Sequence, residues 1–196
     1  MAFLNALDTQ LFLFLNSQHS TFFDPIMYWF SDILIWIPMY VLIAFFIIKN
    51  YKRQGIFILV FVGVVILVCD QTASHLIKHV VQRLRPSHEP ALAGLIHLSK
   101  AGPGGLYGFV SSHAANAFGL ATFLALTLND RFMYLKYWLF VWAILVSYSR
   151  IYNGVHYPGD VVVAAGLGMI FGWAVSWIAV RICTFGKANR TEPHSN

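Results

Sequence analysis

The segment SRIYNGVHYPGD, Ser149 to Asp160, carries an arginine, a histidine and an aspartate between two strongly apolar runs. His156 and Asp160 stand four apart around Pro158, which can open a helix because proline is tolerated in a first helical turn. At that spacing the carboxylate can accept a hydrogen bond from one imidazole nitrogen, fixing the tautomer and leaving the other nitrogen as a nucleophile. Asp160 alone would also serve as a favourable charge at a helix N-terminus. Arg150 closes the preceding run and adds a fork of donors suited to an anion.

Two further stretches carry the same chemistry. In FVSSHAAN, Ser111 and Ser112 precede a helical run and are natural N-caps, but a helix start also offers free N–H groups and a positive dipole end to phosphate. His113 follows directly, within reach of an anion bound there. Upstream, GIFILVFVGVVILVCDQTASHLIKHVVQRLR keeps helical character from Gly55 to Arg85. That predicts a helix about 46 Å long against about 30 Å of hydrocarbon, so its last turns stand in the interface. Along it Gln71, His75, Lys78, Gln82 and Arg85 recur at intervals of four and three residues, which predicts one inward-facing stripe.

The elements that must position these residues are membrane spans. The chain of 196 residues is 58% hydrophobic and 11% charged, well outside the soluble range of about 45–50% and about 25%. Five apolar runs are expected to span, roughly 25–48, 56–77, 114–128, 133–149 and 161–182; they are continuous, not alternating, which predicts an all-α helical bundle instead of a barrel. Small residues in SSHAANAFGLA and AAGLGMIFGWA would let helices approach closely. The N-terminal stretch repeats apolar residues at Phe3, Leu4, Leu7, Leu11, Phe14 and Leu15, as in a short interfacial helix, and lacks the marks of a cleaved signal. The connection from Pro86 to Ser112, with AGPGG inside it, is long enough to suggest a lid. Residues 1–186 are expected to form one membrane domain, and 187–196 a polar, disordered tail in which His194 is inert.

Charge placement gives orientation. With five spans, Lys49, Lys52 and Arg53 fall on the same side as Arg131, Lys136, Arg181, Lys187 and Arg190, which the positive-inside rule makes cytoplasmic. Lys78, Arg83, Arg85, Lys100 and Arg150 fall on the opposite side and require another reason. The net charge of +5 is dispersed between apolar segments, so it does not indicate nucleic-acid binding. Cys69 and Cys183 read as core residues, and His75 with His79 lacks the glutamate and third ligand of a zinc site. No metal or other cofactor is expected, and oligomeric state is not encoded in any recognisable pattern.

The spacing as a whole is Lys78, six residues, Arg85-Pro86; then Ser111-Ser112-His113; then Ser149-Arg150, five residues, His156, three residues, Asp160. This resembles the type 2 phosphatidic acid phosphatase superfamily, membrane lipid phosphatases similar to vanadium haloperoxidases and bacterial acid phosphatases. The first and third motifs match the family spacing; in the second, Val110 and Ser112 stand where the family usually has proline and glycine. The resemblance implies that His156 attacks phosphorus to form a phosphohistidine, with Asp160 orienting it and His113 acting as proton donor and then base. It also implies that Lys78, Arg85 and Arg150 clamp the phosphate oxygens, aided by Ser111 and Ser112. Phosphoryl transfer needs mainly positioning and charge stabilisation, which three fixed cations can supply.

The expected function is therefore hydrolysis of a lipid phosphate or diphosphate in the plasma membrane, with the site facing the periplasm or exterior and the C-terminus cytoplasmic. By the resemblance, candidate substrates are undecaprenyl diphosphate, phosphatidylglycerol phosphate, phosphatidate and lipid A phosphates. Transfer of the phosphoryl group to another lipid, or non-catalytic binding or transport of a lipid phosphate, are the alternatives; the intact His156, Asp160 and His113 set argues against mere binding. The loop residues His88, Glu89, His97 and Lys100 read as solvated.

Overall fold

The bilayer has no water to satisfy backbone polar groups, so each apolar run closes its own hydrogen bonds as a helix. In the computed structural model, which describes residues 2–188, seven helices result: α1 Ala2–Asn16, α2 Phe23–Ser31, α3 Ile37–Tyr51, α4 Arg53–Val81, α5 Ser112–Thr127, α6 Met133–Tyr152 and α7 Pro158–Ala188. Four helical stretches are long and apolar enough to cross a membrane: Ile33–Tyr51, Arg53–Val81, Asp130–Tyr152 and Pro158–Ile182. The third expected span, around 114–128, is the 16-residue helix α5. It is enclosed by its neighbours, with Ala115, Gly119, Leu120, Phe123 and Leu124 buried, so it need not present a full apolar length to lipid.

The expected span 25–48 is in fact two pieces. Asp32 adopts an extended conformation and its carboxylate accepts the Leu34 N–H at 3.0 Å, capping a 3-10 turn, Ile33–Trp36, that leads into α3. The break leaves Ser31 buried at the end of α2. In α4, residues Thr72–Ile77 form a π-helical turn, and Gln82, with φ +49°, caps the helix so that it ends at Val81, four residues short of the expected end at Arg85. The inward stripe therefore does not form: Gln71, His75 and Gln82 are exposed. A π turn takes in extra residues and rotates everything after it.

Small residues set the centre. A Cβ on Gly172 of α7 would lie 2.5 Å from the Gly119 carbonyl of α5, and one on Gly119 would lie 2.8 Å from Cys69 Sγ of α4, so these helices meet nearly backbone to backbone. Phe12 and Asn16 of α1 are buried while Leu7, Leu11 and Phe14 are exposed, the division an interfacial helix requires. The two basic turns sit together at one end, where Tyr51 Oη accepts the Asn129 N–H at 2.7 Å and Arg131 Nη2 donates to Asn50 Oδ1 at 3.3 Å.

The connection 82–111 folds over the other end and is tied down. Arg85 N donates to the Leu106 carbonyl at 3.0 Å, Gly108 N to the Arg83 carbonyl at 2.9 Å, and Ser87 Oγ to the Pro103 carbonyl at 2.7 Å. Helix α7 continues to Ala188, two residues into the stretch expected as tail; residues 189–196, including His194, lie outside the described residues, as does the side chain of Cys183.

Candidate active site

Three backbone devices converge at the end opposite the basic turns. Ser111 occupies the N-cap position of α5 with extended dihedrals, yet its side chain makes no capping bond. Ser112 and His113 open that helix, where the first N–H groups have no intrahelical partner. Helix α6 ends at Tyr152 just after Arg150, and Gly154, with φ +78°, turns the chain so that His156 is buried before α7 begins at Pro158.

Asp160 is wholly buried in the first turn of α7. Its Oδ1 accepts Arg83 Nη1 at 2.8 Å and its Oδ2 accepts the Tyr157 N–H at 3.0 Å. The His156 Nδ1 atom faces the same Oδ2 at 3.5 Å, a contact longer than a hydrogen bond, because the backbone of Tyr157 holds that oxygen. Arg83 also meets Asp8 Oδ2 at 2.8 Å and lies over the Tyr157 ring at 4.0 Å, while Asp8 Oδ1 accepts the Gly159 N–H at 2.7 Å. Helix α1 thus braces the start of α7 both through the Arg83 guanidinium and directly through Asp8.

The cations arrive from three elements. Lys78 Nζ donates to Ser112 Oγ at 2.9 Å, and that hydroxyl is also 2.8 Å from Ser74 Oγ, which in turn reaches Asp70 Oδ1 at 3.4 Å. Arg85 is anchored by Nε to the Tyr107 carbonyl at 3.1 Å, and its outer nitrogen comes so close to Gly104 that a Cβ there would lie 2.5 Å away. Arg150 donates through Nη1 to Ser31 Oγ. The His156 imidazole is held well below its ordinary pKa, first by burial and then by Arg85, Arg150 and Lys78 around it, so it is neutral at physiological pH. Burial first, then the charges of Arg150, His156 and Lys78, lower the His113 pKa to about 3, opposed by a hydrogen bond with the Ser31 backbone. Ser111 Oγ, Arg150 Nε and His156 Nδ1 are buried with no hydrogen-bond partner among the described residues.

All eight residues singled out by type and spacing, Lys78, Arg85, Ser111, Ser112, His113, Arg150, His156 and Asp160, therefore lie at this one end of the bundle. Of the loop residues left as solvated, His88 pairs with neighbouring Ser87 at 3.1 Å and Lys100 is exposed, but His97 is tied to Asn16 and Asp24. Sequence reasoning missed Asp8, Ser31, Asp70 and Ser74, and saw Arg83 only as a cation on the wrong side for the positive-inside rule.

Beside the cradle lies an apolar cavity of about 420 Å³ between α3, α4, α5 and α6. Trp36, Tyr40, Ile43, Ile66, Leu120 and Trp142 line it, with Ser31, Asp70, Ser112, His113 and Asn116 as its polar lining.

A helical membrane bundle that gathers three cations, two histidines and a buried carboxylate at one end defines an integral membrane enzyme of phosphoester chemistry. The sequence pattern of the PAP2 superfamily matches residues 55–183, and the chain belongs to that superfamily. It is a membrane phosphoester hydrolase acting on lipids. Among curated proteins it is 40% identical over 182 residues to the lipid A 4′-phosphatase of Bacteroides thetaiotaomicron, a match covering 92% of this chain and 80% of the relative. A second similar protein, the lipid A 4′-phosphatase of Porphyromonas gingivalis, is 33% identical over 175 residues, covering 88% of this chain and 72% of the relative. The fold is that of the crystal structure of the transmembrane PAP2-type phosphatidylglycerolphosphate phosphatase from Bacillus subtilis, with a TM-score of 0.63 at 19% identity, covering 100% of this chain and 90% of that one.

Proposed function

We propose that the protein removes the 4′-phosphate from lipid A or a closely similar acylated glycolipid, through a phosphohistidine at His156. The carrying observation is that His113 belongs to two places at once: it lies within the electrostatic reach of Arg150, His156 and Lys78, and it lines the apolar cavity. A phosphate seated among the cations would then have its ester oxygen toward His113 and its lipid portion toward the cavity. The 40% identity to a lipid A 4′-phosphatase supports that glycolipid over the other lipid phosphates.

In this mechanism the Nε2 lone pair of neutral His156 forms a bond to phosphorus as the bond to the sugar oxygen breaks. His113, kept neutral by burial and the nearby cations until substrate binds, takes up a proton as the phosphate's negative charge offsets those cations, then gives it to that oxygen, and the alcohol leaves. Water then attacks the phosphohistidine, His113 takes the water proton, and phosphate departs with the His156 lone pair restored. Lys78, Arg85 and Arg150 offset the charge on the non-bridging oxygens, and the Ser111 hydroxyl and the first N–H groups of α5 supply further donors. Asp160 favours the tautomer with hydrogen on Nδ1 and stabilises the charge that imidazole gains. Residues 1–186 form the catalytic membrane unit. The positive-inside rule turns the basic end to the cytoplasm and the site to the exterior or periplasm of a plasma membrane.

The test is phosphate release by purified protein from lipid A, undecaprenyl diphosphate, phosphatidylglycerol phosphate and phosphatidate, with His156→Ala as control. Preferred release from lipid A at the 4′ position, absent in the variant, is expected. Faster turnover of undecaprenyl diphosphate or a phospholipid would overturn the substrate assignment.

A further inference from the structure

Away from the cradle, two side chains from the corner between α1 and α2 and one from the 82–111 connection meet above the turn that carries His156. Asp24 Oδ1 lies 3.0 Å from His97 Nε2 and accepts a hydrogen bond from Tyr152 Oη at 2.7 Å. An aspartate and a histidine on their own would make an ordinary ion pair. His19, whose own side chain is exposed, does not fit that account: its ring stacks on His97 with centroids 4.0 Å apart and an interplanar angle of 8°. One donor atom from each of His19, Asp24 and His97 falls within 4.8 Å of the others. Two charged imidazoles so placed would repel each other, whereas two neutral ones offer lone pairs to a shared cation.

The support around the three is built as metal sites build it. His97 is latched on both sides of its backbone by one side chain, its N–H donating to Asn16 Oδ1 at 2.7 Å and its carbonyl accepting Asn16 Nδ2 at 3.0 Å. The Asp24 carboxylate is oriented by the Tyr152 hydroxyl, which itself accepts the Ser20 N–H at 2.9 Å. Such outer partners fix ligand orientation and raise affinity. The donor set is two nitrogens and one carboxylate oxygen. Calcium and magnesium prefer oxygen throughout, whereas zinc takes two histidines, a carboxylate and one solvent ligand in a tetrahedron.

We propose that His19, Asp24 and His97 form a Zn²⁺ site that clamps the 82–111 connection to the corner between α1 and α2. Binding draws the donors to within roughly 3.4 Å of one another, as bonds of about 2.0–2.1 Å in a tetrahedron require. The exposed His19 makes most of that movement. The His97 carbonyl already presses on Gly154, where a Cβ would lie 2.6 Å from it, two residues before His156. The clamp therefore steadies the turn beneath the nucleophile without supplying a ligand to the reaction, and the inference does not depend on which lipid is the substrate.

Metal-stripped protein in detergent should bind Zn²⁺ saturably at one ion per chain in calorimetric titration, with a rise in melting temperature. His19→Ala, an exposed substitution that does not threaten folding, and Asp24→Asn should each weaken binding about tenfold or more and remove the thermal shift. The double variant His75→Ala, His79→Ala alters a histidine pair away from this site and from the cradle, with rings 6.4 Å apart, and should bind as the parent does. Absence of saturable binding, binding unchanged by His19→Ala, or binding lost in the His75, His79 variant would each overturn the assignment.

Discussion

Replacing Arg83 by methionine keeps most of the side-chain length and removes the guanidinium that joins Asp160 to Asp8. Asp160 is 0% exposed and holds two hydrogen bonds, so the substitution leaves a buried carboxylate with only the Tyr157 N–H. Removing one partner of a fully buried ion pair costs about 3–5 kcal/mol, whereas a hydrogen bond to a charged group contributes about 1.5–3 kcal/mol. Arg83 is 22% exposed, so water can partly replace it, and a loss of about 2–3 kcal/mol is expected. Asp8→Asn spares the contact to Asp160 and should cost about 1 kcal/mol or less. Unfolding in detergent micelles measures both. Turnover separates positioning from scaffolding: a carboxylate held at one oxygen alone orients His156 less firmly, so kcat should fall about 10- to 100-fold, or about 1.4–2.7 kcal/mol in barrier, with little change in KM. Arg83→Lys should recover part of kcat. The reasoning fails if Arg83→Met keeps kcat within about twofold of the parent, or if Asp8→Asn loses as much as Arg83→Met.

Gly172→Leu should abolish monodisperse protein or lower its melting temperature sharply, since overpacking costs about 1–3 kcal/mol or more and the new side chain meets the Gly119 carbonyl; Gly63→Ala, with open space around it, should be neutral or better. Gly104→Ala should raise KM and weaken inhibition by orthovanadate, because its Cβ would displace the Arg85 guanidinium. Gly94→Ala shares the positive φ but touches nothing, so it should leave KM unchanged. Stability should also fall with acid. His156 stays neutral in the folded protein while the unfolded chain takes up a proton near pH 6.5, so its contribution is present above about pH 6.5 and is lost as pH falls below it. Denaturant titrations at several pH values should show a shallower acid slope in His156→Gln than in the parent.

The clustering of the candidate residues was legible because it rests on short-range spacing. Ser111 to His113 lie at the start of α5, and Arg150 to Asp160 run across the turn from the end of α6 to the start of α7; helix order alone returns both stretches to the same rim. The small residues at Gly119 and Gly172 likewise announced the close packing of α5 on α7. What the sequence concealed is phase and distance. A regular helix from Gly55 to Arg85 gives an inward stripe, but the π turn at Thr72–Ile77 rotates the later residues, and Arg85 reaches the cradle from an extended segment instead. Asp32 interrupts a run that hydropathy averages into a single span, and that interruption delivers Ser31 to Arg150. Asp8 and Arg83 meet across 75 positions of sequence, as do His19 and His97 across 78, and no periodicity reports such pairs.

In the proposed mechanism Nε2 of His156 is the atom that receives the phosphoryl group. Mixing the enzyme with a lipid phosphate labelled in phosphorus, quenching in alkali, and mapping the labelled peptide tests this directly. Label should appear on the peptide containing His156, vanish in His156→Ala, and persist longer in His113→Ala when a good leaving group carries the phosphate. Turnover that survives in His156→Ala, or label mapped to another residue, would contradict it.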